Sequence, residues 1–127
     1  MAEFVYRDNV CVLSFGDKKY ELPLNEQTAD LLEKTFEKRA NLPTFNGGIE
    51  EVNAFYDELM DDVDAVLGEG AADDIMSRFK HPGTMELLSV ITFIVTEFDE
   101  QYTKALGEMK QTAHIPNRET RRARAKR

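Results

Sequence analysis

The chain has 127 residues, of which 42% are hydrophobic and 31% charged, and its formal net charge is −8. This length is typical of one domain and buries a sizeable core without a metal or a disulfide. The single cysteine, Cys11, excludes an internal disulfide. There is no basic-then-apolar leader and no apolar run long enough for a membrane helix, so we expect a reduced, soluble, intracellular domain.

The charge is distributed unevenly along the chain. Residues 111–127 carry six cationic side chains against one glutamate, a net charge of +5, so residues 1–110 carry −13. We therefore divide the chain into one domain, residues 1–110, and a basic tail, residues 111–127. The acidic domain repels nucleic acid and anionic membranes, so any binding to them would belong to the tail. Because the tail has almost no apolar side chains, we expect it to be flexible, or helical only when docked.

The first 24 residues predict an antiparallel meander of three strands, at residues 4–7, 10–15 and 19–24. Two-residue turns at 8–9 and 17–18 set the register, and the second turn pairs Phe15 with Tyr20. Both turns place the large apolar side chains on one face of the sheet. That face comprises Phe4, Tyr6, Cys11, Leu13, Phe15, Tyr20, Leu22 and Leu24.

Apolar residues at helical spacing predict four helices in residues 25–110, at 26–40, 49–67, 71–80 and 84–110. Asn25 is a good N-cap for the first helix, and Gly68 ends the second. Phe79 is predicted to point inward from the third helix. The main apolar stripe of the fourth helix runs on to Leu106 and Met109, and Phe93 widens it. Its first half is apolar nearly all round, so we expect it to be the central, most buried element. The predicted fold class is α+β, a small sheet packed against about four helices.

The acidic segment at residues 57–64 has the composition of a metal site but not its spacing. A calcium loop that starts at Asp62 would place Val66 and Leu67 where a ligand and a glycine are required. The solvent-exposed face of an amphipathic helix explains the segment better. Binding of a basic partner, including the protein's own tail, remains an alternative interpretation.

No other pattern predicts catalytic, metal-binding or cofactor-binding residues. His81 and His114 have no ligand-spaced partners, and Cys11 falls on the core face of the predicted sheet as a small apolar residue. The glycine pair at residues 47–48 lies between predicted helices without a following lysine, unlike a phosphate-binding loop. We therefore predict that the protein is not an enzyme and needs no cofactor.

The tail supplies the candidate partner-binding residues. These are its cationic side chains, Arg118, Arg121, Arg122, Arg124, Lys126 and Arg127. They could fold on RNA, dock on an acidic protein surface or form a flexible, solubilising end. No aromatic residue is interleaved with the arginines to stack on bases, which favours protein docking or flexibility over nucleic acid.

Two segments resemble the small tail assembly chaperones of long-tailed (siphovirus-type) bacteriophages and prophages of Gram-positive bacteria. They are Phe15-Gly-Asp-Lys-Lys-Tyr-Glu-Leu-Pro-Leu-Asn25 and Asn117-Arg-Glu-Thr-Arg-Arg-Ala-Arg-Ala-Lys-Arg127. The resemblance implies a non-enzymatic helper that keeps the tape measure protein soluble in the host cytoplasm. It also implies assistance to polymerisation of the tail tube protein, and absence from the mature virion. Many such proteins have a second, longer form made by ribosomal frameshift, and this chain resembles the short form.

Two other classes of function remain open. A small nucleic-acid-associated regulator would bind through the tail, with an affinity that falls steeply as salt rises. A structural virion subunit would self-assemble into rings, and self-association in general is left open. For a chaperone, the methionines offer soft, adaptable surface, although their helical positions suit a core more often. These methionines are Met60, Met76, Met85 and Met109.

Overall fold

The computed structural model describes residues 2–37 and 48–113, with side chains described as far as residue 110. Within these residues the fold is α+β, as predicted, with a two-stranded antiparallel sheet and four helices. The strands are β1 (Val10–Phe15) and β2 (Lys18–Pro23). The helices are α1 (Glu26–Thr35), α2 (Ile49–Leu67), α3 (Ala71–Met76) and α4 (Thr84–Ala113).

The β1–β2 hairpin has the predicted inner face but a different register. Its turn lies at Gly16-Asp17, one residue earlier than predicted, so that Leu13 pairs with Tyr20. Gly16 has φ +64°, the conformation that glycine adopts at the first central position of a tight hairpin turn. Moving a turn by one residue shifts the pairing by two, which keeps every side chain on its face. Cys11 and Leu13 are accordingly fully buried.

The predicted strand at residues 4–7 is wrong: no strand forms there, and Phe4 and Tyr6 are exposed. The reason lies in α4, whose Gln101 side chain occupies the free edge of β1. The backbone N–H of Val12 donates to Gln101 Oε1 at 3.1 Å, and Gln101 Nε2 donates to the Val12 carbonyl at 3.0 Å. A third strand in the predicted register needs those same two backbone groups of Val12.

The first helix begins as predicted and ends earlier. Asn25 Oδ1 accepts a hydrogen bond from the Thr28 backbone N–H at 2.9 Å, which confirms the predicted N-cap. The structure ends α1 at Thr35, whereas the sequence predicts a helix to residue 40. Residues 38–40 of that prediction lie outside the described residues. The predicted bounds of α2 are confirmed, and it ends at Gly68, which has φ +116°.

The third helix is shorter than predicted, and this exposes an aromatic side chain. It ends at Met76, and the backbone N–H groups of Arg78 and Phe79 donate to carbonyls three residues back, as in a tightened last turn. Ser77 Oγ also donates to the Asp74 carbonyl at 2.7 Å, which competes with continuation of the helix. Phe79 therefore leaves the inward face and is exposed rather than buried.

The first half of α4 provides the centre of the core, as predicted. Its fully buried side chains pack with those of β1 and α2. They are Leu87, Ile91, Ile94 and Phe98. The helix runs to Ala113, three residues past its predicted end. Phe93, expected to widen the buried face, is 38% exposed, and Leu106 and Met109 of the predicted stripe are also exposed.

Candidate protein-binding surface

An apolar groove opens where the tip of the hairpin, the end of α3 and α4 meet. Its first part has a volume of about 160 Å³ and is lined by Phe15, Gly16, Ile75, Arg78, Phe79 and Val90. A second cavity of about 340 Å³ shares four of these residues and adds Ser14, Ser89 and Phe93. We call these two cavities together the apolar groove.

Ring contacts hold one aromatic wall of the apolar groove in place. The ring centroids of Phe15 and Phe93 are 5.3 Å apart at an interplanar angle of 74°, and those of Phe15 and Tyr20 are 6.0 Å apart at 70°. Edge-to-face pairs of this kind are favourable beyond their buried area. Phe15 therefore joins the tip of the hairpin to α4. The side chains of Phe79 and Phe93 are about one-third exposed and so accessible to a partner.

Arg78 lies at the mouth of the groove and is held by two carboxylates. Its Nη1 is 2.7 Å from Asp17 Oδ1, and its Nη2 is 3.8 Å from Asp74 Oδ2. The guanidinium holds the pKa of Asp17 below its ordinary value of 3.8. Because Asp17 is exposed, this pair adds little stability, and its main consequence is to position the guanidinium. A Cβ on Gly16 would lie 3.0 Å from Arg78 Nη1, so the end of this flexible side chain would have to shift.

The segment of α4 at residues 84–96, which we call the uncharged stripe, extends the apolar groove. Between residues 84 and 96 the only charged side chain is Glu86, although residues 1–110 as a whole carry −13. A shallow cavity of about 390 Å³ on this stripe is lined by Met85, Leu88, Ser89 and Thr92. Met85 is 78% exposed beside this cavity. The groove and the stripe form the candidate protein-binding surface.

The acidic segment of α2 has a structural role in part. Asp64 Oδ1 accepts a hydrogen bond from the Ala72 backbone N–H at 2.8 Å, which ties the end of α2 to the start of α3. Among the described residues, no group of three or more histidine, cysteine, aspartate or glutamate side chains could hold a metal ion. His81 is exposed, and His114 lies outside the described residues.

Cys11 is a core residue, as the sequence predicts. Its side chain is fully buried in the hydrophobic core. Burial raises its pKa from 9.0 to about 11, and the nearby Glu97 carboxylate acts in the same direction. A thiol held in its neutral form is a poor nucleophile and a poor metal ligand.

The structure tests only some of the residues that the sequence singles out. The six cationic side chains from Arg118 to Arg127 lie outside the described residues, so their binding role stays a prediction. Val5 and Val12, which the predicted register would place opposite each other on the outer face of the sheet, are both exposed but do not pair. Of the four methionines, Met76 is buried and Met60 partly buried, whereas Met85 and Met109 are exposed.

Sequence reasoning missed the two aromatic walls of the apolar groove. It assigned Phe79 and Phe93 to the core because both fall near an apolar helical stripe. The signal for Phe79 is the Pro82-Gly83 break shortly after it, which limits the length of α3. Phe93 offers no such signal, since its exposure depends on how far the hairpin covers α4.

Comparison with known proteins gives no match among protein-family models, curated proteins or solved structures. None of the helices in the described part of the chain has both the length and the apolar character needed to cross a membrane. The physical character of the candidate surface, together with the sequence resemblance, is what bears on function.

Proposed function

We propose that this protein is a tail assembly chaperone of a long-tailed bacteriophage or prophage. In this role it is not an enzyme. It keeps the tape measure protein soluble in the host cytoplasm, assists polymerisation of the tail tube protein and is absent from the mature virion. The observation that carries the proposal is the apolar groove, with its uncharged stripe, on the surface of a strongly acidic domain.

The shape of the groove suits an apolar side chain on a partner helix. Its two cavities, of about 160 Å³ and about 340 Å³, share Phe15, Gly16, Phe79 and Val90 and so form one continuous groove. An amphipathic helix that docks in a groove inserts side chains one at a time along its apolar face. The exposed portions of Phe79 and Phe93 supply aromatic walls for such an anchor, and Met85 supplies adaptable surface beside it.

The charge of the domain supports the same function. A client that exposes long apolar helices aggregates unless its partner remains soluble, and a large net charge opposes association of the complexes with one another. The charge of −13 on residues 1–110 has this effect, while the lining of the groove is apolar apart from its glycine, its serines and Arg78 at its mouth. The same negative charge disfavours nucleic acid as the partner of this surface.

Co-expression with the tape measure protein from the same source tests the function. The fraction of tape measure protein that is soluble and co-purifies is the measurement. We expect the double variant Phe79→Ser/Phe93→Ser to lower this fraction about tenfold, because aromatic anchors dominate interface energies. The control is Leu31→Ser, since Leu31 is 40% exposed on α1, close to the 38% of Phe93.

Circular dichroism establishes that both variants are folded before the comparison is made. If the double variant and the wild type keep equal amounts of tape measure protein soluble, the groove does not bind that protein. Capture of nucleic acid instead, abolished by nuclease and by truncation after Thr112, would overturn the proposal in favour of the regulator that binds through its tail.

A further inference from the structure

The charged residues around the apolar groove differ from those of the domain as a whole. Four cationic side chains and two carboxylates either line the groove or lie directly beside a lining residue, in sequence or in strand pairing. They are Arg78, Lys80, Lys18, Lys19, Asp17 and Asp74. Their net charge is +2, whereas residues 1–110 together carry −13. The groove is therefore a locally cationic site on an acidic domain.

Arg78 is the cationic residue in the wall of the groove, and it can accept a further partner. Its Nη1 is 2.7 Å from Asp17 Oδ1, whereas the 3.8 Å between its Nη2 and Asp74 Oδ2 is too long for a hydrogen bond. A guanidinium has five N–H donors, and 39% of this side chain is exposed. A carboxylate from a partner can therefore bind Arg78 while both contacts within the chain stay in place.

We propose that the segment bound in the apolar groove is an amphipathic helix with an aspartate or glutamate one turn from its apolar anchor, and that Arg78 binds this carboxylate. The inference rests on the proposed function, because it concerns the same groove. Side chains three or four residues apart on a helix lie about 5–6 Å from each other. Arg78 and Phe79 line the same cavity, so one helix places its anchor against Phe79 and its carboxylate at Arg78.

The charge of the domain makes this contact selective. A helix with its acidic residue at another position would bring that carboxylate against a domain of charge −13, which opposes binding. One attractive pair combined with repulsion elsewhere selects a partner by its charge pattern as well as by its apolar face. Phe79 and Phe93 then provide most of the binding energy, and Arg78 determines which helix binds and in which register.

Two synthetic helical peptides with the same leucine-rich face test the charge preference. They differ only three residues before and four residues after the central leucine, where one peptide has glutamate and the other lysine. Fluorescence anisotropy with the full chain measures both dissociation constants. We expect the glutamate peptide to bind about tenfold more tightly. Tighter binding of the lysine peptide, equal binding of the two or binding of neither would overturn the proposal.

Variants of Arg78 separate its contribution from the charge of the whole chain. We expect Arg78→Gln to remove most of the preference for glutamate and Arg78→Glu to reverse it, so that the lysine peptide binds more tightly. The matched control is Lys34→Glu. Lys34 also pairs with a carboxylate one turn earlier, Asp30 at 3.0 Å, on a helix that contributes no residue to the groove.

The control changes the net charge as much as Arg78→Glu does and leaves the basic tail intact. It should keep the wild-type preference, and circular dichroism establishes that each variant is folded. Equal effects of Lys34→Glu and Arg78→Glu would assign the preference to the net charge of the chain and overturn the proposal.

Co-expression with the tape measure protein distinguishes a failure of this inference from a failure of the proposed function. If Phe79→Ser/Phe93→Ser lowers the soluble fraction and Arg78→Glu does not, the groove binds its partner through apolar contacts alone, and only the present inference is overturned. If neither change lowers the soluble fraction, both proposals are overturned.

Discussion

The two halves of α4 carry the same apolar stripe and meet different surroundings. In the first half the hairpin and α2 cover Ile94 and Phe98, which are buried. In the second half Leu106 and Met109 continue the stripe into solvent. The difference shows that apolar residues at helical spacing predict a helix and its apolar face. They do not predict which element packs against that face.

Truncating one side chain in each half of α4 gives the largest expected difference in the free energy of unfolding. Phe98→Ala removes a ring from the core and is expected to lower the free energy of unfolding by about 3–5 kcal/mol. Leu106→Ala changes it by no more than about 0.5 kcal/mol at protein concentrations where the chain is monomeric. Urea denaturation measures both values. Similar losses of stability in the two variants would mean that Leu106 is buried in the monomer.

The hairpin that packs against the buried half of α4 also confers a pH dependence, through Cys11 of β1. Burial raises its pKa from 9.0 to about 11, so the folded state favours the neutral thiol. The associated stability is fully present below pH 9 and is lost as pH rises towards 11, by about 2–3 kcal/mol. Cys11→Ala should show a smaller alkaline loss in urea titrations at pH 7, 9 and 10.5. A parallel loss in both proteins would assign the effect to other groups, the tyrosines among them.

Gln101 lies at the boundary between the two halves, and its loss has a smaller effect. Gln101→Leu removes both hydrogen bonds to the Val12 backbone, which we expect to cost about 1 kcal/mol. Hydrogen exchange at the Val12 amide should accelerate about tenfold. Gln27→Leu, a change of the same type on the exposed side of α1, is the control. Unchanged exchange at Val12 would show that another group protects the edge of β1.

The features predicted well are those with local causes. Asn25 caps α1 through its own side chain, and Gly68 ends α2 because glycine adopts a positive φ without strain. The predicted inner face of the hairpin is correct although the predicted register is wrong. The register error is two residues, a full period of a strand, so each side chain stays on its face. Each of these outcomes depends on residues close together in the chain.

The errors concern contacts between distant residues. The predicted third strand failed because Gln101, 89 positions from Val12, occupies the edge that the strand required. The apolar groove was missed because the exposure of Phe93 depends on where the hairpin stops along α4. No local sequence pattern predicts either of these contacts.

Local sequence patterns are enough to predict the α+β class, the bounds of α2, the burial of Cys11 and the charge difference between residues 1–110 and 111–127. These follow from side-chain period, capping and composition, which act over a few residues. Packing between distant elements decides which apolar side chains stay exposed, and Phe79, Phe93, Leu106 and Met109 are among them. Burial is a property of two surfaces in contact, and one strand or helix specifies only one of them.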